Sequence, residues 1–210
     1  KALLQQRLGD SNSFSADFQD AACDYLVCLL KRSSRSSFMP ELMVFPGGAL
    51  DAKDVELSTS DEEAIKLCAA REAFEESGVC LFDGAHSNTF EDHSDNLTWR
   101  HEVHADASQL QQLMSKRKLR LDQSKFMPLC RFVTPDLETK RAGKGFDAHF
   151  FVSVLTEDQL ASSIAMGPDN AETTSMIWMS PRQVLQLHTD GSVMIVRLSL
   201  SSSLSSSPKS

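Results

Sequence analysis

Short apolar runs alternate with stretches of helical periodicity, and their order predicts most of the chain's elements. Residues 25–30 form an unbroken apolar run of strand length that ends in Lys31-Arg32, the pattern of a strand buried on both faces. A basic, serine-rich turn over 33–40 leads to a second short strand over 42–45, closed by Pro46-Gly47-Gly48. Adjacent glycines after a strand mark a tight turn or a close approach of backbone to ligand. Residues 49–59 read as a sparse acidic loop. Ser60 then supplies an N-cap with Glu63 at the third helical position, and a helix runs from Asp61 to about Ser77, where Gly78 ends it.

Beyond that helix, residues 79–82 read as a strand or extended segment, followed by a polar loop from Asp83 to about Asn96. His86, His93, His101 and His104 sit in or near this loop at spacings that fit no tidy metal site, so they read as surface histidines. Leu110, Leu113 and Met114 predict an amphipathic helix over 107–118. Three strands follow, over 126–133, 146–155 and 173–179. Ser180-Pro181 places an N-cap before a proline at the first helical position, predicting a helix to about Leu187. Residues 193–198 have the pattern of a short strand. The organisation is then a weakly ordered segment over 1–24, one folded domain over 25–190, and a serine-rich, low-complexity tail over 191–210.

Composition narrows the class. A hydrophobic share of 41% supports a real core, and a net charge of -8 argues against a surface for extended nucleic acid. Five scattered cysteines without a C-x-x-C pair argue against a disulfide scaffold or zinc site and point to a reducing, intracellular compartment. No apolar run approaches the roughly 20 residues that span a bilayer. The chain starts at Lys1 rather than methionine, which reads as a fragment, and its serine-rich end reads as a truncated or spliced product.

The chemistry concentrates in Arg71-Glu72-Ala73-Phe74-Glu75-Glu76-Ser77-Gly78-Val79. On a helix Glu72, Glu75 and Glu76 share one side, while Leu67, Ala70, Ala73 and Phe74 take the other. Two readings are open on pattern alone. One is a solvated acidic face. The other is a divalent-cation site, because hard cations want several oxygen ligands and would offset the mutual repulsion of the carboxylates.

Gly48, Glu63, seven residues, and then Arg71 to Val79 resemble the signature box of the Nudix hydrolases, G-x5-E-x7-REUxEExGU with U aliphatic. The spacing from Glu63 onward is complete, with Ala73 where a larger aliphatic is usual. Between Gly48 and Glu63 stand 14 residues in place of five. The added loop-closure cost is only about 0.9 kcal/mol. The run before Gly48, together with Phe146-Asp147 and Trp178-Met179-Ser180-Pro181, is similar to the coenzyme A diphosphatase-like branch of the family over roughly 25–187. Arg32, Ser33 and Phe45-Pro46-Gly47-Gly48 agree with the coenzyme A signature of related enzymes, whereas Ser37 and Glu41 stand where it has arginine and glycine.

The resemblance implies an α/β fold: an α/β/α sandwich with a mixed β-sheet and a loop-helix-loop catalytic motif. It implies cleavage of the diphosphate in coenzyme A or acyl-coenzyme A, with Mg²⁺ or Mn²⁺ held by Glu72, Glu75 and Glu76. Arg71 would hold a glutamate by a bidentate pair, Glu63 would serve capping first and the metal shell second, and Glu172 is the candidate acid from a later loop. Gly47 and Gly48 would let backbone approach metal or phosphate, and Arg32 and Arg35 would meet the substrate's phosphates. The expected partner is a small nucleoside diphosphate derivative, with no membrane association. The resemblance implies a peroxisomal or mitochondrial location, although Pro208-Lys209-Ser210 is not a Ser-Lys-Leu type signal. Two alternatives remain: a Nudix pyrophosphatase for a dinucleotide, nucleotide-sugar or RNA cap, and an inactive Nudix-fold binding module.

Overall fold

The computed structural model describes residues 25–35, 40–84, 89–90, 92–134, 145–168 and 173–192. The 1–24 segment, the 193–198 strand, the serine tail, His86 and Glu172 lie outside the described residues.

Three strands form one antiparallel sheet in the order β2 (Met43–Val44), β1 (Val27–Arg32), β5 (Thr173–Met179). β1 is central, with Leu30 opposite Val44 on one side and Met176 on the other. Its alternation serves two layers, since successive side chains point to opposite faces. Leu29 packs with Met43 and with Val184 of helix α6 (Pro181–Thr189). Cys28, on the other face, lies close enough to Glu76 of helix α2 (Asp61–Ser77) to feel its charge. Helix, sheet and helix are thus layered, as the continuous apolar run predicts.

The second sheet is the antiparallel pair β3 (Met127–Val133) and β4 (Asp147–Val152). Every pairing among the described residues is antiparallel, where a mixed sheet was expected. β3 is exposed along most of its length, including Leu129 and Val133.

The larger core is built by α2, helix α3 (His93–Ala105) and helix α4 (Gln109–Arg117). Leu67, Ala70 and Phe74 of α2 meet Trp99, Val103, Leu110 and Leu113. Phe74 stacks on Phe90 with ring centroids 5.4 Å apart. In residues 79–82, Val79, Cys80 and Phe82 are buried, but the segment joins no ladder, apart from the isolated Asp83–Arg120 bridge that follows.

Three helices go beyond the sequence expectation. Helix α1 (Ala52–Glu56) occupies the expected acidic loop, capped by Asp51 and Asp54 in a reciprocal box. α3 starts inside the expected polar loop, with Asp92 accepting from the Asp95 N–H as N-cap. Helix α5 (Glu157–Met166) follows β4, capped by Thr156 and Gln159. Asp, Ser and Thr at an N-cap satisfy a backbone donor that has no partner within the helix. No helix among the described residues is long and apolar enough to cross a membrane.

Candidate functional site

The expected helix Asp61–Ser77 forms with its predicted ends. Ser60 accepts from the Glu63 N–H at 3.2 Å, and Gly78 closes the helix in the left-handed conformation at φ 69°. Its last three turns are not amphipathic. Arg71, Glu75 and Glu76 are buried alongside Ala70, Ala73 and Phe74. Glu75 retains 5% and Glu76 3% of its exposure, so this is not a solvated acidic face. Buried carboxylates are costly unless each is paired or hydrogen-bonded.

Each carboxylate has a partner. Glu76 Oε2 accepts the Gly47 N–H at 2.9 Å, tying the glycine turn to the helix. Glu72 lies against Gly48: a Cβ at that position would sit 2.5 Å from the carboxylate, so only glycine leaves it room. Glu75 Oε1 accepts from Arg71 Nη1 at 2.9 Å, and His104 Nδ1 lies 3.1 Å from Glu75 Oε2.

Arg71 is the hub. Its Nε and Nη2 each donate to Asp54 at 2.9 Å in a bidentate pair, Nη1 also lies 2.9 Å from Glu72, and Nη2 donates to the Ala49 carbonyl at 3.1 Å. Burial disfavours its charge, but the bonds to Asp54, then Glu72 and Glu75, hold the guanidinium above its ordinary range. Beneath it, burial and Asp54 push the Cys68 thiol up to about 12.

The bidentate partner of Arg71 is therefore an aspartate from the loop, not a glutamate of its own helix. Asp54 is 1% exposed and also caps α1 by accepting the Asp51 N–H at 3.0 Å. Gly48, five residues and Asp54 reproduce the opening spacing of the box. The extra residues accordingly fall between Asp54 and Arg71, where the sequence reading had placed them before Glu63. The signal was present in that spacing. The complete spacing from Glu63 to Arg71 masks it.

Glu63 keeps to its capping role: Oε2 accepts from Thr59 N at 2.7 Å and Thr59 Oγ1 at 2.5 Å, one residue earlier than in the expected box. These bonds hold its carboxyl below the usual range. Arg32 is half-buried at the end of β1, opposite Thr173, whose hydroxyl donates to the Glu76 carbonyl at 3.3 Å. Arg35 is exposed in the following turn. Among the four histidines, His93 and His101 are on the surface as expected, while His104 reaches the box helix. Arg100, one turn before it, is buried and donates to the Glu75 carbonyl at 2.9 Å and the Gly167 carbonyl at 3.1 Å. A cavity of about 370 Å³ lined by Leu57, Glu63, Leu67 and Met114 lies at the start of α2, and none of Glu72, Glu75 and Glu76 lines it.

One guanidinium thus faces Asp54, Glu72 and Glu75, with Glu76 beside them. That excess of negative charge and the hard oxygen donors fit a divalent cation such as Mg²⁺ or Mn²⁺. Among the described residues no group of three His, Cys, Asp or Glu is already converged on a metal position.

A sheet behind a capped helix of buried carboxylates, clasped by a glycine turn, defines a Nudix-type domain. The solved structure of a NUDIX hydrolase from Alicyclobacillus acidocaldarius has the same fold, with a TM-score of 0.61 over 82% of this chain and 78% of that one at 23% identity. Residues 56–198 match the model of the NUDT19 Nudix domain, and the chain belongs to that family, the NUDT19 branch of the Nudix hydrolases. It is 27% identical to the acyl-coenzyme A diphosphatase NUDT19 of Xenopus laevis over 80% of this chain and 56% of that protein. The NUDT19 protein of Gallus gallus is 26% identical over 78% of the chain and 56% of its own length. A putative nudix hydrolase 7 of Caenorhabditis elegans is 27% identical over 75% and 47%. The chain spans about half the length of these relatives.

Proposed function

We propose that this domain hydrolyses the diphosphate linkage of coenzyme A or acyl-coenzyme A, giving 3′,5′-ADP and (acyl-)4′-phosphopantetheine. The observation that carries the reading is the buried carboxylate cluster at the glycine turn, with a single guanidinium among four acids. The substrate class is supported by the relatives named acyl-coenzyme A diphosphatases and by Arg32, Ser33 and Phe45 to Gly48.

Glu72, Glu75 and Glu76 would hold Mg²⁺ or Mn²⁺. When bound, such an ion supplies charge neutralisation for the diphosphate and lowers the pKa of a coordinated water. The chain's own work is positional. Arg71 braces Glu72 and Glu75 against Asp54, and the Gly47 N–H holds Glu76. The missing Cβ of Gly48 leaves the Glu72 carboxylate its place, where phosphate would approach. Arg32 at the end of β1 and Arg35 in the turn that follows would meet the 3′-phosphate or diphosphate as charge-assisted donors. On family resemblance, the location that goes with this proposed activity would be the peroxisome or mitochondrion.

The test is turnover of coenzyme A with Mg²⁺ or Mn²⁺, with products separated by chromatography, for wild type and Glu76→Gln. Wild type should release 3′,5′-ADP and 4′-phosphopantetheine, and the variant should lose activity by about 10²-fold or more, the scale of removing a transition-state electrostatic partner. Equal turnover by Glu76→Gln would remove the carboxylate cluster from the chemistry. Cleavage of NADH, ADP-ribose or capped RNA in preference to coenzyme A would reassign the substrate.

A further inference from the structure

We propose that His104, on a helix outside the signature box, is a positioning residue for Glu75. The inference rests on the Nudix reading of the site.

Glu75 is 5% exposed, and a carboxylate that deep needs both oxygens served. Arg71 serves Oε1, but its guanidinium is already divided among Asp54, Glu72, Glu75 and the Ala49 carbonyl. Oε2 is served from α3, where His104 Nδ1 lies at 3.1 Å. An ionised carboxylate only accepts, so Nδ1 carries the proton in this contact. The helix that presents His104 is itself fixed to α2, because Arg100, one turn earlier, donates to the Glu75 backbone carbonyl. Arg100 and His104 therefore grip one residue twice, at its main chain and at its side chain.

The consequence is geometric. With an oxygen on each of two donors, the Glu75 carboxylate is held about its last torsion, which favours one direction relative to Glu72 and Glu76 before any cation or diphosphate arrives. Donors behind a metal-binding residue typically change metal affinity or activity by about 10–100-fold when removed.

Two measurements test this. In the cation-free protein labelled with ¹⁵N in its histidine rings, the His104 signal, assigned by its loss in His104→Asn, should show a protonated Nδ1 and should shift in Glu75→Gln. A ring protonated only at Nε2 and indifferent to Glu75→Gln would overturn the proposal. Mn²⁺ titration followed by electron paramagnetic resonance supplies the second readout. His104→Leu should weaken binding by about 10–100-fold, and His104→Asn, whose amide nitrogen falls near the position of Nδ1, should restore it. Wild-type affinity in His104→Leu, or equal loss in both variants, would also overturn it. Absence of coenzyme A cleavage by wild type would count against the proposed function alone, because the ring spectra read the contact without turnover.

Discussion

Asp54 shows how far a single side chain carries the site. It is 1% exposed, accepts two hydrogen bonds from Arg71 at 2.9 Å each, and caps its own short helix. Breaking a buried ion pair costs about 3–5 kcal/mol, here toward the lower end because Arg71 keeps Glu72 and Glu75. Asp54→Ala should lower unfolding stability by about that amount in urea melts, and Glu63→Ala, which loses bonds to Thr59 and Gln123 at a part-exposed position, by about 1 kcal/mol. Equal costs would return the bracing role to Glu63. Glu41 carries a second residue-scale prediction. It sits at φ 63° where the coenzyme A signature has glycine, so the backbone keeps a left-handed turn although the side chain differs. Glu41→Gly and Glu41→Ala both lose the exposed Lys31 ion pair at 2.7 Å, but only alanine keeps the left-handed strain. The glycine variant should be the more stable by about 1 kcal/mol in the same urea melts.

At the scale of elements, what was legible followed from local pattern. The box helix, with Ser60 at its start and Gly78 at its end, and the strand Thr173–Met179 were readable because caps and apolar periods are written in neighbouring residues. Helix α1 was not, since five residues without an apolar stripe carry no period; it is held by the Asp51–Asp54 box and by Arg71 from the next helix. His104 was read as a surface histidine because its exposure is real, at 51% of the side chain, and its contact is 29 residues away in sequence. The glycine turn offers a test that separates position from stability. A Cβ on Gly48 would first meet the end of the Glu72 side chain, at 2.5 Å, and the Gly48 backbone has no positive φ to strain. Gly48→Ala should therefore cost less than about 1 kcal/mol in unfolding while displacing Glu72 and weakening Mn²⁺ binding by about tenfold or more. A stability loss without a change in Mn²⁺ affinity would show that the turn shapes the fold and not the carboxylates.

On the scale of the whole molecule, the site lies on a seam between two cores. One is the helical cluster around Leu67, Phe74, Phe82 and Trp99; the other is the sheet cluster of Leu29, Met43 and Val184. The Gly47–Glu76 and Thr173–Glu76 bonds cross between them, so the carboxylates keep their places only while both cores are folded. Two cysteines report on the two sides. Cys80 is in the helical cluster and Cys28 is on β1 facing Glu76; burial pushes each thiol up to about 12, with the Glu76 charge adding to the effect at Cys28. Thiolate is the reactive form, so both should resist alkylation at pH 8 in native protein, while exposed Cys130 reacts throughout. Across a urea gradient, Cys28 and Cys80 should become reactive at one midpoint, as a single cooperative unit requires. Two separate midpoints would mean that the seam opens before the cores do. The pH dependence has a fixed sign. A thiol with a raised folded pKa contributes stability that is intact below its unfolded value, near 8.5, and is lost as pH rises through the folded one. The shared midpoint should hold between pH 7 and 8 and fall toward pH 12, with Cys80→Ala flattening that alkaline fall.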